Sequence, residues 1–448
     1  MELKGKRVLV VGLGKTGVAL AGFLAGRGAE VIISDKKPES ELKENCDALK
    51  GMRVTFDVGR HNADILSQVD MIIPSPGVPP FNELLTGGVE RGIPIISEIE
   101  LAFSYLKEPV IAITGTNGKT TTTKLLGEIL KKWGKKIFVG GNIGNPLIEY
   151  VDGGERADYL VVEVSSFQLQ WVKQFHPSVA VLLNTSSDHL DYHANFEAYV
   201  SMKERIFANQ APGDLAIFNA DDAIAGEVSK KIRGDILYFS SSQKLERGIF
   251  IDNGVLRYRN SGGMEEEYPV GKVKLKGIHN LENVMAAVIA SRRCGCPQKV
   301  IVEALETFKG MPHRMEFVRS RGGVEIYNDS KGTNVDAVKR ALESFSGPVI
   351  LLMGGRDKGG DFGILAGLIG EKVKKLVLFG EAREKIRYFV GGVVETGSAE
   401  NLKGAMEEAC KSSSPGDVIL LSPGCSSFDE FANYRERGNY FKEMAREL

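Results

Sequence analysis

Short apolar runs alternate along the chain with longer amphipathic stretches. The runs fall at 7–11, 30–34, 70–73, 110–113, 136–139, 159–164 and 179–183, and again at 324–329, 349–353, 375–379 and 417–421. Such runs, rich in Val, Ile and Leu with little alternation, read as strands buried on both faces of a parallel sheet. Several intervening stretches have helical spacing. After Thr120, apolar residues recur at Leu125, Leu126, Ile129 and Leu130, which predicts a helix over 120–132. Further helices are predicted near 98–105, over 196–208, and from 277 through Arg293, a cap of the last being the plain structural role open to Asn280. Asp252-Asn253-Gly254 predicts a hairpin turn between 248–251 and 255–258. Strand and helix in alternation predict an α/β protein.

The strand ends carry the polar chemistry. The strand at 110–113 leads into Gly115-Thr116-Asn117-Gly118-Lys119-Thr120-Thr121 and then a helix. Backbone N–H groups of such a turn point at anionic oxygens, and glycine lets the backbone approach a ligand closely. Lys119 can reach terminal phosphates and the Thr120 hydroxyl can hold Mg²⁺. A full Walker pattern would need glycine at position 113, which is Ile, so the turn is a shortened cradle. A nucleoside triphosphate is the expected substrate.

A second glycine turn, Gly12-Leu13-Gly14-Lys15-Thr16-Gly17, follows the first strand, and Asp35 ends the second. The pattern fits a pyrophosphate or nucleotide diphosphate. Pro74-Ser75-Pro76-Gly77-Val78-Pro79-Pro80 is a stiff loop at another strand end. In the 159–164 run one carboxylate, Glu163, interrupts the apolar residues. A lone buried carboxylate is costly unless it is paired or binds a metal, so Glu163 reads as a Mg²⁺ ligand. His189 follows the strand at 179–183 amid polar residues and is a candidate site residue, with His193 less marked. Lys203, on spacing alone, reads as an exposed helix lysine.

Composition narrows the class. The chain has 448 residues, enough for about three domains. Net charge is −1, from 57 basic and 58 acidic residues, so no nucleic-acid partner is expected. No apolar run approaches the about 18 residues that span a bilayer, and no membrane insertion or signal peptide is expected. Five cysteines without zinc-ligand spacing suggest a reducing, cytoplasmic setting.

The motifs GTNGKTTT, GGNIGNP, VVEVSSFQ, DHLDYH, GIHNLEN, PHRMEF, NDSKGTN, GGRDKGGD and LSPGCSSFDEFANYRERG together resemble the Mur ligase family, over nearly the whole chain. The resemblance implies three domains: a Rossmann-like UDP-binding domain over 1–98, a central P-loop ATPase domain with a parallel sheet over 99–311, and a Rossmann-like C-terminal domain over 312–448 that closes over ATP. HRMEF paired with NDSKGTN, and the LSPGCSSFDEF ending, imply D-glutamate as the incoming amino acid. The implied partners are UDP-N-acetylmuramoyl-L-alanine, D-glutamate and ATP; the implied reaction is amide ligation through an acyl phosphate in peptidoglycan precursor synthesis. A monomer is expected.

Residue by residue, the resemblance implies that Gly115 to Thr121, Asn280, Asn283, Arg314 and Asp329 bind ATP. Thr120, Glu163, His189 and a carbamylated Lys203 surround two Mg²⁺ ions. Lys331, Thr333, Lys358 and Ser427 hold the D-glutamate carboxylates. Thr16, Asp35, Gly77 and Asn142 line the UDP-substrate site. Gly332 stands where the family usually has alanine, and Lys36-Lys37 replaces a more familiar Thr-Arg after Asp35. Rival readings are another Mur-family amide ligase, a folylpolyglutamate synthase, a regulatory nucleotide switch, and a nicotinamide-dependent oxidoreductase built on the first glycine turn. The last leaves the Gly115–Thr121 turn unexplained.

Overall fold

The computed structural model describes residues 1–186, 192–260, 262–275 and 277–448. His189 lies outside the described residues. Among them, the strands form three sheets in which parallel pairing dominates.

The first sheet holds β1 (Arg7–Val11), β2 (Glu30–Asp35), β3 (Val54–Val58) and β4 (Met71–Pro74) in the order β3-β2-β1-β4, all parallel. The chain leaves β1 for β2 on one side and later returns as β4 on the other. Such a reversal opens a crevice at the carboxyl ends of the strands. Thr16, Asp35 and Gly77 follow or end β1, β2 and β4 there.

The second sheet holds β5 (Val110–Thr114), β6 (Ile137–Gly141), β7 (Tyr159–Glu163), β8 (Val179–Leu182), β9 (Leu215–Asn219), β10 (Asp235–Ser240), β11 (Gly248–Asp252), β12 (Val255–Arg259) and β13 (Glu265–Pro269). Their order is β13-β12-β11-β10-β9-β8-β5-β7-β6. Val110, Ile111, Ala112 and Ile113 of β5 are all buried. Burying a Val or Ile side chain of this kind contributes about 1.5–3 kcal/mol, which fixes β5 inside the sheet whatever its end must do. The β11–β12 hairpin is antiparallel, and Asn253 and Gly254 at its tip have φ of 47° and 80°. Two positive φ values in a two-residue loop match strand twist, as Asn-Gly predicts.

The third sheet holds β14 (Glu316–Arg321), β15 (Val324–Asn328), β16 (Val349–Gly354), β17 (Val373–Phe379), β18 (Glu395–Ser398) and β19 (Val418–Gly424), in the order β14-β15-β19-β16-β17-β18. β19 enters between β15 and β16, so the loops after all three emerge side by side. Those loops carry Asp329 to Thr333, Arg356 to Gly360, and Cys425 to Ser427.

The chain divides into two compact units, Met1–Pro269 with Asn283–Ala304, and Val270–Glu282 with Leu305–Leu448. The first holds the first two sheets and the second holds the third. The helix Ile278–Arg293 starts before Asn280, so Asn280 lies inside its first turn and is not its cap. Gly277, with φ of 96°, turns the chain into that helix instead. Among the described residues, no helix is long and apolar enough to cross a membrane.

Candidate active site

The turn after β5 is built by two glycines. Gly118 caps the helix Lys119–Lys132 with φ of 87°, and a Cβ there would sit 2.1 Å from Asn283 Oδ1. Both the backbone and the space therefore exclude a side chain. Asn283 is buried, and its Oδ1 also accepts a hydrogen bond from Thr122 Oγ1 at 3.3 Å. Lys119 Nζ donates to the carbonyls of Gly115 and Thr116 at 2.8 and 2.9 Å. Thr120 and Thr121 are buried in the first helical turn.

Lys203 reaches the same turn. Its Nζ donates to the Gly115 carbonyl at 2.9 Å, so two lysines 84 positions apart meet on one oxygen. Lys203 is 1% exposed and its ammonium lies 4.4 Å from the Tyr199 ring centre. This corrects the reading of Lys203 as an exposed helix lysine. Helical spacing described the helix Phe196–Glu204 well, but the face carrying Tyr199, Val200 and Lys203 packs inward. Tyr199 Oη lies 3.1 Å from Thr116 Oγ1.

Asn184, just after β8, braces the turn from the other side. Asn117 N–H donates to Asn184 Oδ1 at 2.8 Å, Asn184 Nδ2 donates to the Asn117 carbonyl at 3.1 Å, and Thr116 N–H donates to the Asn184 carbonyl at 2.9 Å. Sequence reasoning singled out neither Asn184 nor Tyr199. Tyr199 stands four residues before Lys203, on the same helical face, and that spacing was the available signal.

Glu163 ends β7 and is paired in register with Ile113 and Gly141, so it sits one strand away from the turn. It is 2% exposed. Its Oε1 accepts a hydrogen bond from Asn142 Nδ2 at 2.9 Å, while its buried Oε2 has no partner among the described residues. An unsatisfied carboxylate oxygen in the interior costs stability, and a hard cation is the partner that suits it. Glu163 thus fits a Mg²⁺ ligand. Among the described residues, no cluster of three or more His, Cys, Asp or Glu side chains could hold a metal.

The first sheet's turn is equally constrained. Gly12 has φ of 93°, and a Cβ on Gly17 would lie 2.1 Å from the Gly12 carbonyl oxygen. Ser75 Oγ donates to that carbonyl at 2.7 Å. Asp35 accepts from Leu13 N–H at 2.7 Å and from Lys37 N–H at 2.9 Å, so it braces the turn beside Thr16. Gly77, with φ of 94°, turns the Ser75–Val78 loop, and Tyr192 Oη donates to the Val78 carbonyl at 3.0 Å. Lys36 and Lys37 are largely exposed and lie near Glu83 and Glu41.

In the second unit, Asp329 is buried at the end of β15. It accepts from Ser422 Oγ at 2.8 Å and Met315 N–H at 3.2 Å. Burial pushes its carboxyl up to about 7, against the pull of these bonds and of nearby Arg314. A Cβ on Gly332 would meet Asp329 Oδ2 at 2.5 Å, which gives this chain's glycine a physical reason. Lys331 Nζ lies 4.9 Å from the Tyr434 ring centre. Ser427 is buried, and Lys358 is exposed on the neighbouring loop after β16. Arg437, 1% exposed, stitches these loops together: it donates to Ser330 Oγ and to the carbonyls of Ser330, Cys425 and Ser426 at 2.8–3.1 Å. Thus Asp329, Lys331, Thr333, Lys358 and Ser427 gather at three adjacent strand ends. Asn280 and Asn283 lie on one helix but in different compact units.

Comparison with known proteins finds matches in all three parts of the chain. Residues 6–97 match the family described as Mur ligase MurD-like, N-terminal domain; residues 113–291 match the Mur ligase middle domain; residues 313–425 match the Mur ligase glutamate ligase domain. A UDP-N-acetylmuramoylalanine–D-glutamate ligase of Syntrophus aciditrophicus is 52% identical over 449 residues, covering 100% of this chain and 99% of that one. The chain belongs to the Mur ligase family. A second ligase of the same name, from Geotalea uraniireducens, is 48% identical with 100% and 99% coverage. Among solved structures, a pseudomurein peptide ligase type C from Methanothermus fervidus superposes with a TM-score of 0.63 at 21% identity, covering 99% of this chain and 100% of that one. That likeness shows the Mur ligase fold alone.

Proposed function

We propose that this chain is an ATP-dependent ligase that joins D-glutamate to UDP-N-acetylmuramoyl-L-alanine, forming ADP and phosphate in cytoplasmic peptidoglycan precursor synthesis. The observation that carries this reading is the glycine turn on which Lys119 and Lys203 converge, in a chain 52% identical to a ligase of that name. In this reading residues 1–98 form a Rossmann-like UDP-substrate domain, 99–311 a P-loop ATPase domain, and 312–448 a Rossmann-like domain for ATP and the amino acid. The chain works as a monomer.

A carboxylate cannot lose oxygen to an amine directly at neutral pH. The γ-phosphoryl group of ATP moves to the L-alanyl carboxylate, ADP leaves, and the resulting acyl phosphate carries a good leaving group. The amine of D-glutamate attacks the carbonyl carbon, the C–O bond to phosphate breaks, and the ammonium's protons pass to solvent. Lys119 holds positive charge against the transferred phosphoryl group, and the Gly115–Thr121 backbone orients it. When bound, Mg²⁺, as two ions, neutralises phosphate and carboxylate charge. Thr120, Glu163, His189 and Lys203 would hold it, Lys203 after its amine takes up carbon dioxide as a carbamate and releases a proton. Asn280, Asn283, Arg314 and Asp329 contact the nucleotide. Lys331, Thr333, Lys358 and Ser427 offer two cations and two hydroxyls to the two carboxylates of D-glutamate. Thr16, Asp35, Gly77 and Asn142 hold the UDP substrate.

Phosphate release with UDP-N-acetylmuramoyl-L-alanine and ATP tests the reading. D-Glutamate should support turnover, whereas L-alanine and meso-diaminopimelate should not. Turnover with either of those and none with D-glutamate would overturn the amino-acid assignment.

A further inference from the structure

The first glycine turn and the Gly140–Pro146 loop are 129 residues apart in sequence, yet one side chain ties them together. Lys15, the first residue of the helix Lys15–Gly26, donates from Nζ to the Gly144 carbonyl at 2.8 Å and to Asn145 Oδ1 at 2.9 Å. Both acceptors are neutral oxygens, so the link is two charge-assisted hydrogen bonds rather than an ion pair. The loop is held at two further points. Asn142 Nδ2 donates to Glu163 Oε1, and Asn142 N–H donates to the Glu163 carbonyl. Glu98 Oε1 accepts from Ile148 N–H at 2.7 Å, fixing the start of the helix Leu147–Gly153. Gly141 and Gly144, with φ of 94° and 63°, bend the loop between these points. Of the three anchors, Lys15 alone joins the loop to the first sheet's turn. Lys15 also lines one end of a groove of about 420 Å³ with Val18, Asn45, Leu49 and Ile148.

We propose that Lys15 is a positioning residue that sets the distance between the two ends of the UDP-substrate site. This rests on the function proposed above, taking the substrate's diphosphate to meet the 12–17 turn and its muramoyl group to lie along Asn142. A ligand touching only the turn does not sense that distance. A ligand spanning from the turn to Asn142 does, because the loop must be in register with the turn when both ends bind. Lys15 therefore acts on the long substrate and not on its UDP fragment.

The test uses the full chain with Lys15→Met, which keeps the apolar stem in the groove, and Lys15→Arg, which can still donate to both oxygens. UDP affinity by titration calorimetry is read beside the steady-state constants. For Lys15→Met we expect UDP affinity within twofold of wild type, and kcat/KM for UDP-N-acetylmuramoyl-L-alanine down about tenfold. KM for ATP and D-glutamate should stay within twofold, and Lys15→Arg should recover most of the loss. Equal losses for UDP and for the full substrate would overturn the proposal and make Lys15 a direct phosphate contact. Unchanged kcat/KM, or a general loss with a lowered melting temperature that Lys15→Arg does not recover, would overturn it too. If wild type neither binds UDP nor turns over the UDP substrate, the functional reading fails instead, and that outcome is distinct from all of these.

Discussion

At the scale of single residues, the site combines cations with backbone that only glycine can form. Lys119 and Lys203 both spend a hydrogen bond on the Gly115 carbonyl, so each is already aimed at the turn. Lys119→Ala should abolish phosphate release while leaving UDP-substrate binding by calorimetry nearly intact, because the turn it serves follows β5 and the UDP turn follows β1. Loss of UDP-substrate binding in that variant would contradict the division of labour. Lys203→Ala should be severely impaired and partly rescued by acetate, since a small carboxylate can refill the place of a carbamate. Full activity without rescue would make Lys203 an ordinary buried lysine. Lys358→Ala should raise KM for D-glutamate far more than KM for ATP. Losing one charge-assisted hydrogen bond costs about 1.5–3 kcal/mol, or roughly ten- to a hundredfold in binding. Equal rises in both constants would remove Lys358 from the amino-acid pocket.

At the scale of elements, the strands that carry the site were legible because they are apolar; of the edge strands, β4 and β6 were read as runs at 70–73 and 136–139, whereas β3, β13, β14 and β18 were not. β5, β8, β16 and β19 are buried along their length, as is β7 after the half-buried Tyr159, and all stand out as hydrophobic runs. β13 is Glu265-Glu266-Glu267-Tyr268-Pro269, which has no apolar run; Glu265 and Glu267 instead pair with Arg259 and Arg257 on β12, and Glu266 pairs with Arg292. Cross-strand ion pairs of that kind are invisible to a periodicity argument. Lys203 was misjudged for a related reason: spacing identifies a helix but does not say which face meets a distant turn. The plain structural role open to Asn280, a helix cap, does not hold, because the positive φ at Gly277 lets the helix start at Ile278. The resemblance, not the spacing, pointed to Lys203, and the structure then gave it a partner. The glycine turn was readable to within one residue at each end, since β5 runs to Thr114 and the helix starts at Lys119. Gly118→Ala tests that reading: with φ of 87° and a Cβ 2.1 Å from Asn283 Oδ1, the variant should lose ATP binding and melt at a lower temperature. A variant with wild-type ATP affinity and melting temperature would show that the turn tolerates a side chain.

At the scale of the whole molecule, each compact unit buries a carboxyl that titrates unusually high. Burial pushes Glu98 in the first unit and Asp329 in the second up to about 7, from ordinary values near 4. The folded state then holds more protons than the unfolded chain between about pH 4 and 7. The contribution to stability is full below the unfolded values and is lost as pH rises through about 7, by up to roughly 1.4 kcal/mol per pH unit for each group. Melting temperature should fall from pH 5.5 to 8, and Asp329→Asn should flatten part of that slope; an identical slope in the variant would mean that Asp329 is ionised throughout. The central claim, that D-glutamate is joined through an acyl phosphate, has a more direct test. The L-alanyl carboxylate of the UDP substrate is labelled with ¹⁸O at both oxygens, and the phosphate released by the wild-type chain with ATP and D-glutamate is analysed by mass spectrometry. The account predicts one ¹⁸O in each phosphate and one retained in the new amide. Unlabelled phosphate would contradict it.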